Sequence, residues 1–183
     1  MLLGGGTEQY RKLYENALEA MKKYIFYRPM VPDGQNILFP GQVRVSDPTE
    51  LATTSTVHEA QHLGCFAGGM VGISAKIFNN AEDLDTAKRL VEGCLWGYEQ
   101  MPLGIMPEIM YLTPCPEKNN CEWDESVWYE AVEKWQFGTD SVTTTIQKHR
   151  LPRGVAKIHD PRYILRQVPL ISIDDGRTDA FQT

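Results

Sequence analysis

The sequence predicts a mainly α protein with a short β-hairpin. Three observations carry that prediction. Two long stretches repeat apolar residues every three or four positions, the period of a helix with one buried face. Strand-like runs are few and short. A chain of 183 residues with 42% hydrophobic and 23% charged content reads as one globular domain, with room for a real core.

The first helix follows Gly6. Tyr10, Leu13, Tyr14, Ala17, Leu18, Met21, Tyr24 and Ile25 form its continuous stripe. Thr7 is a candidate N-cap, Glu8 suits the positive end of the dipole, and Pro29 stops the run. Ile37-Leu38-Phe39 and Val43-Arg44-Val45 flank Pro40-Gly41, which reads as a hairpin with glycine supplying a positive φ. The segment 46–53 reads as loop. A second helix is expected over 56–78. It holds Gly64, Gly68, Gly69 and Gly72, each costing about 1 kcal/mol in a helix interior. That cost implies either a break or the close approach of another backbone. The third helix starts at Asn80, a natural N-cap followed by Glu82, Asp83 and Asp85. Its stripe runs through Leu84, Ala87, Leu90, Val91, Cys94, Leu95 and Tyr98, and Pro102 and Gly104 end it. A fourth helix is expected over 125–135 with Trp128, Val132 and Trp135 inward. From 151 to 166 the chain reads as irregular, ending in an extended Tyr163-Ile164-Leu165. The polar tail beyond carries no helical period.

Charge narrows the function. With 18 basic and 24 acidic residues the net charge is −6, and no basic run offsets it, which argues against nucleic acid as a partner. No stretch approaches the ~20 apolar residues of a membrane span, and the first residues lack the basic start and apolar length of a signal peptide.

Four groups of residues could carry chemistry. His58-Glu59-Ala60-Gln61-His62 matches H-E-x-x-H, which on a helix sets two imidazoles on one face around a zinc ion, with the Glu to polarise water. Cys65 stands where the longer zinc-protease pattern has glycine, and short three-residue matches recur by chance. Cys65 and Cys94 lie on consecutive helices; a disulfide and two buried thiols both satisfy that placement. Cys115 and Cys121 bracket a polar turn that a disulfide would close, and two such pairs together favour an oxidising compartment. Glu108, in Gly104-Ile105-Met106-Pro107-Glu108-Ile109, is either a carboxyl in an apolar wall or a residue complementing a helix N-terminus. Arg162 and Arg166 flank Tyr163-Ile164-Leu165, where a guanidinium can anchor a carboxylate or sugar hydroxyl or simply face water.

Taken in order, these segments resemble the class I α-1,2-mannosidases of glycoside hydrolase family 47, fungal type. The resemblance is carried by Tyr10-Arg11 with Tyr14-Glu15, by Phe26-Tyr27-Arg28-Pro29-Met30 with Pro32-Asp33-Gly34, and by Gln61-His62-Leu63-Gly64-Cys65-Phe66-Ala67-Gly68-Gly69-Met70. Gly104 to Glu108, Leu151-Pro152, Asp160 and Arg162 to Arg166 continue it. It implies that 1–166 form the central portion of a catalytic domain, part of an (α/α) barrel of seven helical hairpins. The implied activity is calcium-dependent, inverting removal of terminal α-1,2-linked mannose from high-mannose N-glycans in the secretory pathway. Under it, Glu108 matches an acidic catalytic residue, His62 and Arg166 match substrate contacts, Cys65 and Cys94 match a disulfide, and His58 has no role.

The departures are specific. The family's other acids fall outside the matched segments. Gln167-Val168 stands where the family has Pro-Glu, and the Thr that helps hold calcium is missing. Segment 167–183 matches nothing and is expected to be a disordered tail. The expectation is therefore a truncated gene product or gene model whose isolated chain does not turn over substrate. A glycan-binding protein without catalysis and a zinc peptidase are the alternatives.

Overall fold

The computed structural model describes residues 6–47, 54–117, 120–136 and 138–164. Five helices and three small antiparallel sheets make up these residues. Helix α1 spans Glu8–Ala20 and continues through a π turn, Met21–Ile25, to the end of the predicted stripe. Thr7 caps it through the main chain rather than the side chain: its carbonyl accepts from the Tyr10 and Arg11 amides.

The expected hairpin does not form. Strand β1, Phe26–Tyr27, pairs with β2, Phe39–Pro40. Strand β3, Gln42–Val45, pairs instead with β4, Thr54–Val57. A Pro-Gly reversal needs glycine at positive φ, and Gly41 is not among the glycines that adopt it. Gly41 serves a different need. A Cβ there would lie 2.9 Å from the Val57 carbonyl and 3.1 Å from the Tyr27 ring, so only glycine lets the chain run on between two neighbours.

The second helix also starts later than the glycine pattern implied. Thr54 to Val57 are rich in β-branched residues and pair as a strand. Strand β5 then covers Glu59–Gln61, and a 3₁₀ turn, His62–Cys65, leads into helix α2, Phe66–Phe78. Asn79, in the left-handed region at φ 54°, reverses the chain into helix α3, Ala81–Glu99. Asn80 caps α3 as predicted, its side chain accepting from the Glu82 and Asp83 amides at 3.0 and 3.2 Å. The glycines of α2 explain the close packing. A Cβ at Gly68 would reach within 2.7 Å of Val91 on α3.

Strand β6, Ile109–Leu112, is the centre of a three-stranded sheet with β5 on one side and β7, Val155–Asp160, on the other. Neither β6 nor β7 is predicted; the extended stretch lies just before the expected Tyr163-Ile164-Leu165. Helix α4, Glu125–Lys134, matches its expectation, with Trp128 and Val132 buried and Trp135 half-buried against Tyr111. The Trp128 indole donates to the Val155 carbonyl at 3.0 Å and so ties α4 to β7. Helix α5, Val142–His149, is not predicted; its first turn, Val142-Thr143-Thr144-Thr145, is β-branched throughout and carries little helix propensity. It is started by the Ser141 side chain, which accepts from the Thr144 amide.

The core divides between two clusters. The larger gathers Phe39, Trp96, Met106, Met110 and Trp128 where α3 and α4 meet the sheet. The smaller gathers Leu18, Phe26, Val71 and Leu90 between α1, α2 and α3. No helix among the described residues is long and apolar enough to cross a membrane.

Candidate functional site

The site is built on one row of the three-stranded sheet. Antiparallel register sets Ala60 opposite Met110 and Gln61 opposite Ile109. One step further the row continues through the main chain: the His62 amide donates to the Glu108 carbonyl at 2.9 Å, and the Glu108 amide donates to the Arg162 carbonyl at 3.1 Å. Opposed residues share a face and successive residues alternate. His62 and Glu108 therefore lie on the same face as Ala60 and Met110, the face covered by α3. Both are buried, His62 completely. This places two of the predicted residues side by side. Arg166 and the segment 167–183 lie outside the described residues, as do residues 48–53 of the expected loop.

His62 is held from several directions. Its Nε2 is hydrogen-bonded to the Tyr98 hydroxyl. Tyr98 and Tyr163 each present to the imidazole in a T-shaped arrangement, with ring centroids 5.7 and 5.5 Å away. Burial, then the neighbouring Tyr163 hydroxyl to which it is bonded, push the Tyr98 phenol above its ordinary range. A disulfide, Cys65–Cys94, joins the 3₁₀ turn that His62 begins to α3. Cys115 and Cys121 are also joined. Both pairings settle alternatives the sequence leaves open.

The end of the row is braced by a charged pair. Asp160 accepts from the Arg162 guanidinium at 2.6 and 2.9 Å and from the Arg162 amide at 3.1 Å. These bonds hold the Asp160 carboxyl down to about 2 from its ordinary ~3.9, and they raise the Arg162 guanidinium. A depressed carboxyl stabilises the fold above its unfolded value. That contribution is therefore present from about pH 4 upward and disappears as pH falls through about 2. A carboxyl ¹³C titration of the folded chain should give Asp160 the lowest midpoint of this sheet, moving to the ordinary range in Arg162→Ala. An Asp160 midpoint near 4 in the unaltered chain refutes the brace.

The opposite face of the sheet holds a separate polar group. The Glu59 carboxylate accepts from the side-chain amides of Gln42 and Gln61. Tyr111, on the same face, stacks on Trp135 with centroids 3.9 Å apart. His58 packs its ring edge-on against Tyr27 at 4.9 Å, and burial, then Lys134, lower its pKa.

This geometry corrects the zinc reading. H-E-x-x-H works on a helix, where residues four apart are neighbours about 5–6 Å away. Here Glu59–Gln61 form a strand, so His58 and His62 stand about 13 Å apart along it. Two imidazoles at that spacing cannot share one metal ion with bonds of ~2 Å. No group of three or more His, Cys, Asp or Glu side chains is gathered among the described residues.

Sequence reasoning misses Tyr98 and Tyr163 as site residues. Tyr98 reads as the last member of an apolar stripe and Tyr163 as part of a β-prone run. The available signal is the polar tip on each, which a wholly apolar contact would not need.

Comparison with known proteins agrees with this architecture. No curated protein sequence matches the chain. Among solved structures, an alpha-1,2-mannosidase from Trichoderma reesei superposes with a TM-score of 0.55 at 18% identity. That match covers 87% of this chain and 27% of the mannosidase, so the chain spans about a quarter of its length. The shared fold is the paired-helix barrel, of which this mainly α chain with its short strands is a portion. A sequence model of glycosyl hydrolase family 47 matches residues 1–167, which takes in the helical hairpin, the whole three-stranded sheet and the His62–Glu108 row. On that match the chain belongs to glycosyl hydrolase family 47.

Proposed function

We propose that this chain carries one wall of an α-1,2-mannosidase site, in which Glu108 is the acidic catalytic residue and His62 and Arg166 contact the sugar. The reaction is inverting removal of terminal α-1,2-linked mannose from high-mannose N-glycans. The observation that carries this reading is the shared row: His62 and Glu108 lie on one buried face, joined main chain to main chain. Two disulfides support an oxidising compartment, such as the secretory pathway.

By itself the chain binds mannose without releasing it. Inversion needs a general acid and a general base about 6.5–9.5 Å apart. The described residues bring one carboxylate, Glu108, into the row beside His62; Glu59 faces the other way and is already held by two amides. Each acid or base group contributes roughly 10²–10⁴ in rate. Calcium is the family's expected ion, and no step here is routed through it.

The test incubates the purified chain with α-1,2-mannobiose and measures free mannose by chromatography and contact by saturation-transfer NMR. Contact without release is the expected result. Measurable release overturns the statement about turnover. Neither contact nor release overturns the site itself.

A further inference from the structure

His62 and Cys65 stand three residues apart on a 3₁₀ turn, and Cys94 and Tyr98 stand four apart on α3. Those are the spacings at which side chains on each helix type lie over one another. The turn and α3 are therefore joined by two adjacent rungs. One is the covalent Cys65–Cys94 bond, with Cα atoms 5.7 Å apart. The other is the hydrogen bond between His62 Nε2 and the Tyr98 hydroxyl. Tyr163 completes the enclosure: its ring lies edge-on to the imidazole, its hydroxyl bonds that of Tyr98, and it is 40% exposed.

We infer that Tyr98 is the positioning residue for His62: its phenol donates to Nε2, fixes the proton of the neutral imidazole on Nδ1, and sets the ring's orientation for contact with the sugar. The inference rests on the reading of His62 as a sugar contact.

A phenol and an imidazole nitrogen can each donate or accept, so the direction follows the tautomer: an Nδ1–H ring leaves Nε2 as the acceptor and the phenol as the donor. Burial keeps the Tyr98 phenol protonated; its one proton has two candidate acceptors, Nε2 and the Tyr163 hydroxyl, and the Nδ1–H tautomer is the state in which it goes to Nε2. Neutral histidine in water carries its proton mainly on Nε2, so a buried neighbour is needed to hold the other form. The disulfide sits on the adjacent turn of both elements and sets the separation across which this bond forms.

Long-range ¹H–¹⁵N correlation of the histidine rings tests the inference on the folded chain. The chain has four histidines, and His62→Gln identifies the signal. The unaltered chain is expected to show His62 as a neutral Nδ1–H ring. Tyr98→Phe should move the proton to Nε2 and weaken α-1,2-mannobiose binding by about tenfold, the scale of one lost buried hydrogen bond. A residue that only filled space would leave the tautomer unchanged on this substitution. An Nε2–H ring in the unaltered chain overturns the inference, and so does an Nδ1–H ring that survives Tyr98→Phe. If Tyr98→Phe does not fold, the spectrum of the unaltered chain decides alone. A chain that shows the Nδ1–H ring but binds no mannobiose would refute the sugar-contact reading and leave the role of Tyr98 standing.

Discussion

Gly93→Ala is expected to destabilise the chain by about 3 kcal/mol, lowering the thermal midpoint by roughly 10 °C. The segment before β2 lies directly across α3. The Leu38 amide donates to the Arg89 carbonyl at 2.9 Å, and the Arg89 guanidinium reaches back to the Asn36 carbonyl at 2.9 Å. At that crossing a Cβ on Gly93 would stand 2.2 Å from the Leu38 carbonyl oxygen and 3.2 Å from the Phe39 ring. Main-chain atoms held by two hydrogen bonds cannot turn aside as a side chain can. The roughly 1 kcal/mol that alanine gains over glycine in a helix is too small to offset the clash. Gly68→Ala supplies the contrast. Its nearest obstacle is the Val91 methyl at 2.7 Å, on a β-branched side chain that favours one rotamer, with the Val91 amide nitrogen at 3.3 Å; no main-chain atom stands as close as at Gly93, and the same helical gain applies. Its net cost is expected at about 1–2 kcal/mol, below that of Gly93→Ala. Calorimetry of the two variants distinguishes them, and equal midpoints would refute the account of Gly93.

Cys65→Ser with Cys94→Ser is expected to cost about 3–4 kcal/mol. The bond closes a loop with a sequence separation of 29, and loop-closure entropy gives that magnitude. Cys115→Ser with Cys121→Ser, which opens a loop of separation 6, is expected to cost only about 2 kcal/mol. Denaturant titration with and without reductant measures both. A smaller loss for the longer loop would contradict the entropic reading. Because the first bond lies one turn from the His62–Tyr98 contact on both elements, its loss should also broaden the His62 ring signals. Loss of the second bond should leave them sharp.

The parts of the fold that are legible in the sequence are those whose signals are local. Helix α3 carries its cap, its acidic first turn and part of its stripe within one stretch: Ala87, Leu90, Val91 and Cys94 are buried, Leu84, Leu95 and Tyr98 only partly, and Trp96, outside the stripe, is buried as well. Helix α1 and helix α4 are legible as helices for the same reason, although the stripe of α1 is largely exposed and buries only Leu18. The strands are less so: Phe39 and Val43 to Val45 read as strand and are strand, but their pairing is not legible, because each strand is two to six residues long and draws its order from a distant partner. Thr54 to Val57 illustrates the point. Thr56 and Val57 fall inside the expected second helix, while the β-branched residues of the segment favour the pairing with Gln42–Val45. The glycines of α2 were legible as a constraint and ambiguous as to which. The answer, close packing on Val91, needs the position of a second helix.

The site divides along the same line. His62, Glu108 and the Cys65–Cys94 pair were reached through the resemblance, not through spacing. Tyr98 and Tyr163 were missed because an aromatic at the end of a stripe gives no sign that its hydroxyl has work to do. What brings Tyr98 to His62 is the relative rotation of a 3₁₀ turn and a helix, fixed by a bond between two other residues.

The His62–Glu108–Arg162 row is linked from strand to strand through amide and carbonyl groups. Every residue but proline carries that pair of groups, so the frame specifies places and leaves open what occupies them. The register thus sets where positions 62 and 108 stand independently of their side chains, as a socket fixes the place of whatever is fitted to it, while the buried surroundings decide what fits.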